Sequence, residues 1–189
     1  MTTSNPARIH QIILKELSDT LEKSSGDEIE NLCRAIASAK RLFICGAGRT
    51  GLIMKCFAMR LMQIGLQVWV VGETTTPSIN EYDLLIIGSG SGETESILSI
   101  VEKARTMGVK TAVFTIFSDS SIGKGADILV QIFAPSLKSK MVSSAISRQP
   151  LGNLFESSLL LVTDGIVMQL MTMLQIDQSM MFSRHANLE

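Results

Sequence analysis

Apolar residues near the start of the chain recur every three or four positions. Ile9, Ile12, Ile13, Leu17 and Leu21 share one helical face, and Ile29, Leu32 and Ile36 do so again after the Ser24-Ser25-Gly26 break. Two amphipathic N-terminal helices are predicted. From residue 42 the pattern changes to short apolar runs at 42–45, 68–71, 84–87, 111–116 and 128–132, each closed by glycine or a turn signal, and these read as strands. Helical spacing returns between them at 52–64 and 94–107, with a shorter stretch around 120–125. Strands that alternate with helices in this way predict an α/β fold with a mostly parallel sheet covered on both faces. The segment 134–150 is polar and rich in Ser and Lys, as an exposed loop near a site or a subunit contact would be. A long apolar helix is predicted at about 152–174. No repeat and no linker interrupts the pattern, so residues 1–189 read as one domain.

Composition narrows the class. A chain of 189 residues buries roughly 70% of its unfolded surface and needs no disulfide or metal staple. Lys and Arg number 17 against 18 Asp and Glu, without a basic cluster, which argues against nucleic acid or an anionic membrane as the partner. A small anion remains compatible. Cys33, Cys45 and Cys56 form no CxxC pair and have no nearby histidine, so they read as free thiols. The polar stretch 1–10 has no apolar core of a secretory signal, and a cytoplasmic protein is expected. The apolar run 159–174 is broken by Asp164, Gly165 and Gln169 and falls short of the roughly 20 residues of a bilayer span, which suits a buried or interface helix. Asp164 then reads as a core or interface polar group, and Met168, Met171 and Met173 as packing.

Two glycine-rich loops fall at the carboxyl ends of predicted strands, where ligands sit in open α/β sheets. Gly46-Ala47-Gly48-Arg49-Thr50-Gly51 fits the dinucleotide pattern GxGxxG, and Glu73 ends the second strand where an acid would hold a ribose. Alone, this loop suggests a dehydrogenase. The second loop, Gly88-Ser89-Gly90-Ser91-Gly92-Glu93-Thr94, has the chemistry of a phosphate cradle. Its glycines let backbone N–H groups approach an anion, Ser89, Ser91 and Thr94 offer hydroxyls, and the following helix presents its positive end. The plainer alternative is a tight turn with an N-cap. Glu93 suits the helix dipole with or without a ligand, and Arg49 is placed either to reach a phosphate or sugar hydroxyl or to form a surface ion pair.

No serine lies in a GxSxG elbow, which disfavours acyl transfer. His10 and His185 stand at opposite ends of the chain, so no metal set is visible and metal-free acid/base chemistry remains. Glu156 is the candidate base. It opens an otherwise apolar helix, where partial burial would raise a carboxyl toward the range of a general base; a dipole-complementing glutamate is the equal alternative.

The 88–94 loop resembles the phosphate-binding loop of the sugar isomerase (SIS) domain family. The 46–51 loop, Cys56-Phe57-Ala58-Met59-Arg60-Leu61-Met62, the stretch Gln149-Pro150-Leu151-Gly152-Asn153-Leu154-Phe155-Glu156 and the ending His185-Ala186-Asn187-Leu188-Glu189 narrow the resemblance to the branch that serves the ribulose monophosphate pathway. The resemblance implies a single SIS domain with a five-stranded parallel sheet, a homotetramer, no cofactor, and interconversion of 3-hexulose 6-phosphate and fructose 6-phosphate. It implies that Ser89, Ser91 and Thr94 bind the phosphate, that Gly48, Arg49 and Thr50 line the sugar site, and that Glu156 is the catalytic base. In related isomerases a histidine from a neighbouring subunit assists, and His185 is the position here for that part. The family usually has serine at Thr50, and threonine keeps the hydroxyl. An aldose–ketose isomerase of the same fold and a non-catalytic sugar-phosphate sensor remain as alternatives. Oligomerisation is expected independently, because the apolar helix at 152–174 needs more cover than one small domain supplies.

Overall fold

The computed structural model describes residues 6–135 and 147–188. Most of the predicted 134–150 loop, residues 136–146, therefore lies outside the described residues, as does Glu189 of the C-terminal motif. Five strands form one parallel sheet: β1 (Leu42–Gly46), β2 (Val68–Val70), β3 (Leu84–Gly88), β4 (Lys110–Thr115) and β5 (Ile128–Gln131), in the order β2-β1-β3-β4-β5. The chain leaves β1 toward β2 and then reverses to β3 on the other side. That reversal makes the gap beyond the carboxyl ends of β1 and β3 the topological switch point.

Strand side chains alternate between two cores. Leu42, Ile44, Leu84, Ile86, Ala112, Phe114 and Val130 face the larger one, which is covered by α1 (Pro6–Leu21), α2 (Gly26–Ser38), α3 (Gly48–Gln63) and α5 (Asn153–Leu174). Phe43, Cys45, Leu85, Ile87 and Val113 face the other, where α4 (Glu95–Thr106) supplies Ile97, Val101 and Ala104. Burial on both faces explains why the strands read as unbroken apolar runs. The shorter predicted helix at 120–125 is a single 3-10 turn, Gly123–Gly125, and a short α6 (Gln178–Phe182) follows α5, capped by the Asp177 carboxylate on the Met180 N–H.

α5 has the length and composition of a bilayer span, but Leu154, Leu159, Val162, Ile166 and Leu170 are packed in the larger core. Its outer side carries Leu161, Asp164 and Met168 into solvent, Met168 at 70% exposure, so Asp164 is an exposed group and not a core one. On α2, Ser25 caps the first turn and Glu28 accepts from the Gln131 N–H at 2.9 Å. That contact satisfies a backbone donor on the outer edge of β5, which otherwise invites strand addition.

The amino ends of β1 and β3 are clamped by Arg41 and Asp83. The guanidinium donates from Nε and Nη2 to the two carboxylate oxygens at 2.9 and 2.6 Å and lies over the rings of Phe43 and Trp69. The Asn80 N–H donates to the same carboxylate at 2.8 Å. Burial pushes the Asp83 carboxyl up, yet the hydrogen bonds from Arg41 and Asn80 outweigh it and hold the group below its ordinary value. A carboxyl depressed in the folded state contributes stability above its unfolded pKa, about 3.9, and loses it as pH falls through the folded value. Asp83→Asn should cost on the order of 2 kcal/mol at pH 7. The gap between wild type and variant in urea unfolding should narrow below about pH 4, and a pH-independent gap would refute this account of the clamp.

Candidate functional site

β1 and β3 run in register so that Gly46 lies opposite Gly88 at the carboxyl end of the sheet. Both positions need the absence of a side chain. A Cβ on Gly46 would stand 3.0 Å from Gly51 Cα, and one on Gly88 would stand 2.7 Å from Met54 Cγ and 3.1 Å from Thr50 Cγ2. Gly51 is tighter still, 2.6 Å from the Gly46 carbonyl oxygen, so the glycines of the first loop let α3 press against β1. Glu73, the candidate ribose ligand, is an exposed partner of Lys55 at 2.6 Å. The GxGxxG match is thus accounted for by packing and a surface ion pair.

The second loop curls over the end of β3 into α4. Ser89 is buried; its Oγ accepts from the Gly92 N–H at 3.2 Å and lies 3.4 Å from Thr94 Oγ1. Ser91 Oγ accepts from the Glu93 N–H at 3.3 Å. Among the described residues, the N–H groups of Gly90, Ser91, Thr94 and Glu95 meet no acceptor. These donors belong to the loop that leads into the positive end of α4, and unpaired loop N–H groups at a helix N-terminus suit a phosphate dianion. Glu93 does not point at the cradle but accepts from the Ser121 N–H at 2.8 Å, and those hydrogen bonds to Ser121 hold its carboxyl below the usual range.

The opposite wall is the start of α5. Leu151 takes φ 46, a left-handed conformation that costs a non-glycine residue about 1 kcal/mol, and the turn it makes aims the first turn of α5 at the loop. Ala47, Thr50, Ser89, Ser91, Thr94 and Glu156 are among the residues that line one pocket of about 360 Å³, and Phe155 and Ile116 give it an apolar side. The Glu156 side chain is 15% exposed and accepts from Arg49 Nη1 at 2.5 Å. The same Nη1 donates to Asn153 Oδ1. Arg49 is a half-exposed bridge from α3 to the carboxylate of α5, and among the described residues the rest of its guanidinium fork meets no acceptor.

Of the residues singled out in the sequence, the fold brings Arg49, Thr50, Ser89, Ser91, Thr94 and Glu156 to one cleft, with Gly48 at φ +57 beside it. His185 is not among them. It sits in a separate hollow with Arg60, Gln63 and Phe182, its ring stacked on Phe182 at 6.3 Å. Arg60 and Gln63 close α3, a 16-residue helix about 24 Å long that starts at the cleft. The structure also adds Gln149 and Asn153, whose only sequence signal was their place in the 149–156 stretch, and Glu16, which had none.

Known proteins resemble this chain in sequence and fold. The SIS domain profile matches residues 35–154. A 3-hexulose-6-phosphate isomerase from Bacillus subtilis is 44% identical over 94% of this chain and 95% of its own length. One from Mycobacterium gastri is 39% identical over 94% and 88%. A crystal structure from Methanococcus jannaschii, for which a function as 3-hexulose-6-phosphate isomerase was inferred, superimposes with a TM-score of 0.83 at 33% identity, covering 96% of this chain and 99% of that one.

The cradle depends on Gly92. Its φ is +63, and a Cβ there would lie 1.9 Å from Ser120 Oγ. Gly92→Ala should weaken inorganic phosphate binding at least tenfold in calorimetry, and adding Ser120→Gly should restore part of it by removing the clash. Undiminished binding in Gly92→Ala would show that the anion sits elsewhere.

Proposed function

This chain belongs to the SIS domain family, and we propose that it interconverts 3-hexulose 6-phosphate and fructose 6-phosphate. The observation that carries the reading is a single cleft with an anion cradle on one wall and an ion-paired carboxylate, Glu156, on the other. The relatives that share 39 to 44% identity along nearly the whole chain carry that isomerase activity in their names. The reading takes 1–189 as one SIS unit, without a cofactor, in the cytoplasm and in the ribulose monophosphate pathway.

The chemistry follows from moving a carbonyl between adjacent carbons. A proton leaves carbon 2 of the 3-hexulose, an enediolate spans carbons 2 and 3, and the proton returns to carbon 3. One carboxylate on one face of the sugar performs both transfers, and Glu156 has that part. Ser89, Ser91 and Thr94, with the free N–H groups of the loop, hold the phosphate and so fix the distance from carbon 6 to the reacting carbons. Arg49, Thr50 and Gly48 line the sugar end. The unused guanidinium donors of Arg49 face the oxygens that gain charge in the enediolate.

The second acid, which exchanges protons between the two oxygens, is assigned to His185 of a neighbouring subunit. Within its own chain the imidazole is a helix length away from Glu156, so the role requires another copy. An exposed apolar surface supports such assembly: Leu52 and Met59 on α3, Leu161 and Met168 on α5, and Phe182 on α6 are all open to solvent. A homotetramer is the form proposed.

Three measurements test this. In heavy water, the protein should exchange the carbon-3 hydrogen of fructose 6-phosphate; exchange at carbon 1 would instead identify an aldose–ketose isomerase. Glu156→Gln should abolish turnover and exchange while retaining phosphate binding, and a Gln variant with wild-type turnover would remove Glu156 as the base. Mixed refolding of Glu156→Gln with His185→Ala should regain activity that neither homo-oligomer has, because one site then holds both native groups. No regain would overturn the shared site.

A further inference from the structure

The cleft's cation is tied to a carboxylate on the N-terminal helix by a chain of side chains. Glu16 on α1 accepts from the Arg148 N–H at 2.9 Å, from Ser147 Oγ at 2.8 Å and from Gln149 Nε2 at 3.0 Å. Gln149, buried, turns its Oε1 to Asn153 Nδ2 at 2.5 Å, and Asn153 turns its Oδ1 to Arg49. Burial pushes the Glu16 carboxyl up, but the hydrogen bonds from Arg148, Ser147 and Gln149 prevail and hold it below the ordinary value, as an anion.

The two ends of this chain dictate its polarity. An ionised carboxylate only accepts and a guanidinium only donates. Each amide between them has one donating and one accepting end, so only one orientation of Gln149 and one of Asn153 satisfies every contact. We infer that Glu16 is a positioning residue for the isomerase site: its charge orients the Gln149 and Asn153 amides so that an oxygen, never an NH2, meets Arg49. That oxygen keeps Arg49 in place when Glu156 takes up the substrate's proton and ceases to be an anion. Without the carboxylate, Gln149 is free to flip, Asn153 flips with it, and an NH2 then faces a cation. The inference rests on the reading of Arg49 and Glu156 as the site given above.

Glu16→Gln keeps the shape and supplies a donor where only an acceptor fits. Its kcat should fall on the order of ten- to a hundredfold, the scale of a sub-ångström-to-ångström displacement of a catalytic group, with KM changed less than about twofold. Glu16→Asp should recover part of the loss. In an Asn153→Ala background Glu16→Gln should lose most of its effect on kcat, because the route through the two amides to Arg49 is already cut. Gln149→Met, which cuts the same route at similar volume, should reproduce the kcat loss and serves where Glu16→Gln does not fold. The side-chain 15N signals of Arg49, without substrate, should be resolved in the wild type and averaged in Glu16→Gln. Unchanged kcat, an undiminished effect of Glu16→Gln in Asn153→Ala, or Arg49 signals that stay resolved would overturn the relay. A wild type that shows the resolved signals yet does not act on the hexulose phosphate would instead overturn the functional reading, with the Arg49 signals in Glu16→Gln still deciding the relay.

Discussion

The site depends on one close approach: β1 against β3 with Gly46 opposite Gly88, two residues without side chains at the reversal of the sheet. Because nothing projects from either, Met54 and Thr50 of α3 can fill the space above the strand ends, and α3 can lie against β1 at backbone contact through Gly51. The tight fit leaves the two connecting loops no room to run together. One rises into α3 and carries Arg49 and Thr50, and the other folds back into α4 as the anion cradle. The cleft is therefore a consequence of strand topology and of glycine placement, with the polar groups added at its edges.

The third component arrives from far along the chain. α5 is held by its apolar face, Leu154, Leu159, Ile166 and Leu170, in the core beneath the same side of the sheet that α3 covers. A helix fixed by packing along 22 residues presents its first turn with little freedom, so Asn153 and Glu156 are set relative to α3 by core contacts remote from the cleft. The polar groups then refine what packing has placed. Arg49 meets Glu156 across a helix–helix contact, and a pair of this kind, with the carboxylate largely buried and the cation half exposed, stabilises little by itself but fixes a direction.

How much of this the sequence displays follows the range of the interactions. The five strands, the two glycine loops and the hydroxyls of 88–94 are local patterns, and all appear where the periodicity and turn chemistry put them. β2 is shorter than its apolar run, Val68–Val70 against 68–71, because Val71 turns out of the ladder after donating its N–H to Ile44. The helix pattern at 52–64 begins earlier, at Gly48, since a helix start without a side-chain cap at Ala47 leaves no polar signature. The glycines of the first loop do not separate the two readings, because tight strand–helix packing such as that of Gly51 on Gly46 belongs to a dinucleotide turn as well; the ion pair that ties Glu73 to Lys55 is what counts against a ribose ligand there. Glu16 was invisible because its partners lie 131 to 133 residues away.

A carboxylate on α1 is not needed to build the sheet, and α1 touches the core mainly through Leu17 and neighbours packed under α5. Yet Glu16 takes three donors from 147–149, the stretch that leads the chain into α5. A charged acceptor with three partners can hold an irregular segment that has no ladder of its own, because each charge-assisted bond is roughly twice as strong as a neutral one. The segment it holds is the one whose turn at Leu151 aims Asn153 and Glu156. The N-terminal helix thus contributes to the cleft through the approach to α5, and the polarity of the two amides carries that contribution to the cation.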